Sequence, residues 1–162
     1  MIIRYFAIAG ILFTALWLGR GYSSFADKRL NEYSSFSALL LHMEGEISRS
    51  LGYGRSLFRS FSDEYLEKCG FLPLLREGKK LSDAFEECKI RLTLSKEIKD
   101  SLGSVFVSFG KGYMEEEVTR LKACRAELGD VIKRESELLE KNKKVVNALL
   151  FGVAASGAII LI

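Results

Sequence analysis

The chain has 162 residues, 48% of them hydrophobic, and its 24 Lys and Arg against 21 Asp and Glu leave a formal charge of only +3. The charges are interleaved, which excludes a strong basic or acidic field and with it an electrostatic draw to nucleic acid or to an acidic substrate. Cys69, Cys88 and Cys124 form no Cys-x-x-Cys pair and have His42 alone as an imidazole companion, so neither a zinc site nor a disulfide framework is signalled, and three free thiols suit a reducing compartment.

Residues 1–19 read MIIRYFAIAGILFTALWLG, apolar apart from Arg4, with Trp17 and Arg20 where an interfacial belt would sit. The segment is expected to be a first membrane helix. The competing reading is a secretory signal peptide with Ser24-Phe25-Ala26 as a small-residue cleavage site. Lys and Arg near the apolar segments set the orientation. Arg20, Lys28 and Arg29 follow the first, while Lys141, Lys143 and Lys144 precede the second, so the middle of the chain is expected on the cytoplasmic side.

Between the two segments lie roughly 125 residues, enough for one modest core. Leu30, Tyr33, Ser37, Leu40, Glu44, Ile47 and Leu51 recur at three and four spacing, widened by Phe36, Leu39 and Met43, which predicts one amphipathic helix over about 27–50. Gly52 and Gly54 then break it. A second helix is expected over about 55–69, stopped by Gly70 and by Pro73, the chain's single proline. Ser82 is the expected cap of a third helix that carries Leu81, Phe85 and Ile90. A fourth should run from a cap at Ser95 to Phe109 and end at Gly110-Lys111-Gly112. The run Val105-Phe106-Val107 has strand propensity but no partner strand, so it belongs in a buried helix.

The last third repeats apolar residues at Met114, Val118, Leu121, Leu128, Ile132, Leu139 and Val146, a heptad-like ladder interrupted by Arg125, Glu135 and Asn142. Glu116 with Arg120, Asp130 with Arg134, Glu137 with Lys141 and Glu140 with Lys144 place each acid four residues before its base, the favourable helical order. The helix leads into Val145–Ile162, about 18 residues without a charge, the length of a membrane-spanning candidate. Small residues four apart, Gly152 and Ser156 or Gly10 and Thr14, would let such helices approach closely, and self-association is open. The expected architecture is therefore all-α: an N-terminal transmembrane helix (1–19), a cytoplasmic helical bundle (20–144) and a C-terminal transmembrane helix (145–162), the last bundle helix being long and continuous with the second span.

No catalytic constellation emerges. Gly110-Lys111-Gly112 lacks the upstream Gly of a phosphate loop, since Val105 stands there, and no Ser or Thr follows Lys111. Glu115, Glu116 and Glu117 fan around a helix rather than converging on a metal, and acids in a first turn are what the helix dipole favours. His42 has no Ser or Cys beside it in sequence, which favours a structural role over that of a base. Neither enzyme activity, cofactor nor metal is expected.

Three local patterns carry a family resemblance. They are Leu40-x-x-Met43-Glu44-x-Glu46-Ile47 followed by Tyr53 and Leu57; Leu81-Ser82-Asp83-Ala84-Phe85; and Leu102-Gly103 followed by Phe109-Gly110-Lys111-Gly112-Tyr113. With the order of spans and helices, the chain resembles the stage III sporulation protein AB family over its whole length. That resemblance implies a membrane component of the channel between mother cell and forespore, with a helical domain like the cytoplasmic domain of type II secretion inner-membrane platform proteins. It implies as partners a cytoplasmic secretion-type ATPase and the other membrane and ring-forming proteins of the channel; the balanced charge, separately, predicts no nucleic-acid partner. The expected location is the mother-cell membrane facing the forespore. Glu44, Glu46 and the turn Gly110, Lys111 and Gly112 are the candidate partner-binding residues. The alternative is a platform protein of a type II secretion or type IV pilus-like system, although such platforms usually carry two copies of the helical domain. A small membrane-bound enzyme is a third, weaker option.

Overall fold

The computed structural model describes the chain over residues 2–49 and 55–161. Its regular structure there is all-helical: α1 (Ile2–Arg49), a short 3-10 turn (Arg55–Phe58), α2 (Glu64–Lys68), α3 (Phe71–Arg76), α4 (Leu81–Lys89), α5 (Lys96–Ser108) and α6 (Met114–Leu161). Contacts divide the chain into two compact units, residues 29–133 and the paired ends 1–28 with 134–162.

In the unit of residues 29–133 the core follows the hydrophobic periodicity. Tyr33, Phe36, Leu39, Leu40, Met43 and Ile47 of α1 are all buried, the face that the three and four spacing predicts. Four phenylalanines from four helices meet at its centre. Phe36 of α1 stands edge-on to Phe71 of α3 at 5.7 Å and to Phe85 of α4 at 5.8 Å, and Phe85 meets Phe106 of α5 at 5.1 Å. Edge-to-face pairs of this kind add about 0.5–1.5 kcal/mol each beyond the area they bury. Val105 and Phe106 are buried within α5 and Val107 is exposed, so the apparent strand run is indeed helix. From α6, Leu121, Cys124 and Leu128 complete the core.

The short helices depart from expectation in an instructive way. The second helix predicted over 55–69 is split: only Glu64–Lys68 is α-helical, capped by Asp63, whose carboxylate accepts from the Leu66 amide at 2.9 Å. Gly70, at φ +89°, does end α2, but it also starts α3. Pro73 therefore sits in the first turn of α3 rather than beyond a helix end. A first-turn residue needs no amide hydrogen bond, so the proline is accommodated. Ser82 is not a cap: α4 starts at Leu81, its N-cap is Lys80 without a side-chain bond, and the Ser82 hydroxyl donates to Asp83. Ile90 is 91% exposed, so it is not part of that helix's apolar face. Ser95 caps α5 as expected, accepting from the Ile98 amide.

Three glutamates of this unit are buried, Glu32, Glu44 and Glu117, and the first two tie α1 to the rest of the core. Glu32 is fully buried and accepts from the Tyr65 hydroxyl and from the Thr93 amide, the latter at 2.6 Å. Its neighbour Tyr33 accepts from the Ser95 amide at 3.2 Å, so two successive residues of α1 hold the α4–α5 connection. Burial, and then the bond to Glu32, push the Tyr65 hydroxyl's pKa well above its usual range. Glu44 is also buried and takes two bonds from Arg125 of α6, at 2.7 and 3.3 Å. The Arg125 that interrupts the heptad-like ladder is the counter-ion of an α1 acid. All three cysteines are free thiols, and burial raises the pKa of each.

In the unit of residues 1–28 and 134–162, the exposed side chains include large apolar ones: Phe13, Trp17, Phe25, Leu138, Val145 and Leu149. Lys143 approaches Asp27 at 3.8 Å, and both are exposed. Among the described residues no helix is long and apolar enough to cross a membrane. Most side chains of 1–19 and 145–162, the two expected spans, lie outside the described residues, as do nearly all the small-residue pairs expected there.

Candidate functional site

A groove of about 430 Å³ opens on the surface of the 29–133 unit. Its floor is apolar, from Leu57, Leu75, Leu81 and Phe106, with Phe58, Val107 and Phe109 around it. Its rim is cationic: among the described lining residues, Lys79, Lys80 and Lys111 stand against a single acid, Asp83. That volume lies within the roughly 300–1,000 Å³ range of ligand-sized sites, enough for a few anchoring side chains rather than a whole helix.

Two glycine turns put the lysines there. At the end of α3 the Gly78 amide bonds the Leu75 carbonyl and the Lys79 amide bonds the Leu74 carbonyl, each at 3.1 Å. This paired pattern closes a helix with a left-handed residue, and Gly78 has φ +97°. The chain leaves it directly into Lys79 and Lys80. After α5, Phe109 at φ −58° and ψ 128° and Gly110 at φ +80° form a type II turn closed by the Lys111 amide on the Ser108 carbonyl. The third position of such a turn requires φ > 0 and hence glycine. Lys111 follows at once.

The remaining wall is the 3-10 turn, pinned from α1 by His42, whose Nε2 donates to the Leu57 carbonyl at 2.8 Å. The imidazole also lies against Phe61, with ring centres 5.1 Å apart. The Ser60 hydroxyl is 3.3 Å from the same nitrogen. With Nε2 protonated towards Leu57 it has no lone pair to take a proton from Ser60, so the pair is structural rather than a nucleophile and base.

The expected partner-binding residues divide between places. Gly110 and Lys111 line the groove. Gly112 is next to it in sequence, and its amide donates to Glu117 at 3.0 Å; that carboxylate is buried, so α6 steadies the turn with its own first-turn acid. Glu44 is 94% buried in the pair with Arg125, and Glu46 is half-buried with Arg49 at 3.7 Å; neither belongs to the groove lining. Glu116 pairs with Arg120 at 3.4 Å, and among the described residues no cluster of His, Cys, Asp or Glu could hold a metal ion.

Lys79 bonds Glu87, which raises its pKa, while Lys80 and Lys111 are exposed and carry no ion pair among the described residues. The first turn of α4, from Lys80 to Asp83, lines the same groove. Uncapped amides at a helix start add partial positive charge. The arrangement can hold an apolar anchor and neutralise carboxylates beside it. Sequence reasoning found Gly110 and Lys111 but not Lys79 and Lys80. The available signal was that Leu57, Leu81-Ser82-Asp83 and Phe109-Gly110-Lys111, drawn from all three resemblance patterns, line one groove.

A family model described as Stage III sporulation protein AB matches residues 4–162. No curated protein matches the chain, and no solved structure does.

Proposed function

The chain belongs to the stage III sporulation protein AB family, and its role is in stage III of sporulation; from that premise we propose that it is a non-enzymatic membrane scaffold of the mother cell–forespore channel. Apolar segments at 1–19 and 145–162 anchor it in the mother-cell membrane facing the forespore. The helical domain between them stands in the cytoplasm and docks a secretion-type ATPase, and the scaffold also meets the other membrane proteins of the channel.

The observation that carries this reading is the family match over 4–162, which takes in both apolar segments as well as the bundle. Charge patterning supports the membrane part: 18 residues without a charge follow Lys141, Lys143 and Lys144, and Arg20, Lys28 and Arg29 follow the first segment. Exposed Phe13, Trp17, Val145 and Leu149 suit lipid better than water. The docking part draws support from an apolar groove whose rim carries Lys80 and Lys111, which have no ion pair among the described residues. As for the scaffold role, the buried glutamates are engaged structurally, Glu32 by Tyr65 and Thr93, Glu44 by Arg125 and Glu117 by the Gly112 amide.

Deleting the gene in a spore former tests the proposal. The expected phenotype is arrest after engulfment, with the tagged chain recovered in the membrane fraction and resistant to alkaline extraction. A normal spore yield, or a chain released by alkali, contradicts it.

A further inference from the structure

We infer that the groove is the seat of an acidic, apolar-anchored peptide segment of a partner protein, in which one or two Leu or Phe side chains enter the cleft between carboxylates. The inference rests on the scaffold reading only in taking the occupant to be a protein; it does not require that protein to be the ATPase.

The cleft carries the chemistry for both halves of such a segment. Leu57 and Phe106 are nearly inaccessible floor residues, whereas Val107 is 52% exposed, so apolar surface is presented at the opening. Lys80 and Lys111 approach this surface from two different turns and have no counter-ion among the described residues. Among the described lining residues Asp83 is the single acid, while Glu87 bonds Lys79 and Glu77 also acts on it, so Lys79 is already answered. The rim therefore keeps a positive excess around an apolar floor, on a chain whose charges are otherwise closely balanced. Charge complementarity then selects carboxylates, and the floor selects an apolar anchor. The glycine turns at Gly78 and Gly110 fix the backbone from which the lysines project before any partner arrives, which leaves only their side chains to be ordered on binding.

The inference is tested by panning a phage-displayed random-peptide library on the purified full-length chain in detergent. Enriched peptides should carry Asp or Glu flanking Leu, Phe or Trp, and their affinity should fall with rising ionic strength. The double variant Lys80→Glu, Lys111→Glu should weaken the best peptide by roughly a hundredfold, about tenfold for each reversed charge. Lys80→Gln with Lys111→Gln should weaken it less. Both variants change exposed side chains, so an unchanged melting temperature shows that the fold is intact.

No enrichment, enrichment of basic or charge-free peptides, or equal binding by the charge-reversed chain overturns the inference. So does self-association of the purified chain that the double variant abolishes, since a second copy would then be the occupant. Displacement of the enriched peptide by phosphatidylglycerol vesicles would assign the rim to lipid and overturn it equally. Co-purification of the ATPase separates this result from the scaffold reading. If the ATPase is retained by the charge-reversed chain, docking stands and the groove does not serve it. If acidic peptides bind but the ATPase is never recovered, the groove stands and ATPase docking fails.

Discussion

Replacing Arg125 with methionine should strand the Glu44 carboxylate. The Glu44 side chain is 8% exposed, and the Arg125 guanidinium makes both of its bonds to that carboxylate. Removing one partner of a fully buried pair costs about 3–5 kcal/mol, because the other charge is left without compensation. Arg125 keeps 37% of its side chain exposed, so water can reach the vacated position. The cost should then fall to roughly 1.5–3 kcal/mol, that of a lost hydrogen bond to a charged group. At roughly 4 °C per kcal/mol for a unit of this size, Tm should drop by roughly 6–12 °C. Replacing both residues, Glu44→Met with Arg125→Met, removes the stranded charge and should bring stability to within about 1 kcal/mol of the natural chain. Thermal unfolding of the full chain in detergent, followed by circular dichroism, measures all of these. A loss below about 0.5 kcal/mol for the single variant is the behaviour of an exposed ion pair. That result, or a double variant no better than the single, would refute the reasoning.

Tyr65→Phe removes one of the two groups shown bonding buried Glu32 and should cost about 1–3 kcal/mol by urea denaturation. Because the folded Tyr65 pKa is raised, its contribution is complete below the unfolded value of about 10 and is lost as pH rises from there towards the folded value. Stability of the natural chain should therefore fall above about pH 10 more steeply than that of the Phe variant; parallel curves would count against the raised pKa. Gly110→Ala forces φ +80° on a side chain and should destabilise by about 1–2 kcal/mol, while Gly129→Ala, in an open position within α6, should stabilise by about 0.5–1 kcal/mol. Opposite shifts in Tm are the check. Buried Cys88 and Cys124 should resist iodoacetamide in the folded chain and react on unfolding, with half-buried Cys69 labelled first; mass spectrometry of peptides gives the order.

The long-period features of this fold were legible in the sequence, and the short ones were not. The stripe of Tyr33, Phe36, Leu40 and Ile47 extends over several turns, so its helix and its buried face both follow from spacing. The Ser95 cap is a local side chain-to-backbone bond and is equally visible. Pro73 misled because its effect depends on whether it falls in a first turn, and that is fixed by Gly70 three residues earlier. Ser82 misled because Lys80, with no capping side chain, starts α4 instead. Arg125 looked like a break in an apolar ladder, and Glu44, although it falls in the helix's three-and-four stripe, like a partner-binding residue. Their pairing joins residues 81 apart, and Glu32 reaches Thr93 across 61, separations at which no helical period carries information. The groove was half visible for the same reason. Gly110 and Lys111 stand out as a turn, but only the fold brings Lys79 and Lys80 to the same cleft.

The central claim is that this domain docks a secretion-type ATPase at the membrane, and co-purification tests it most directly. A tagged full-length chain, solubilised from sporulating cells harvested after engulfment, should bring down the ATPase in amounts that a parallel purification of an unrelated tagged membrane protein does not. Recovery of the channel's membrane proteins with no ATPase above that control would contradict the account.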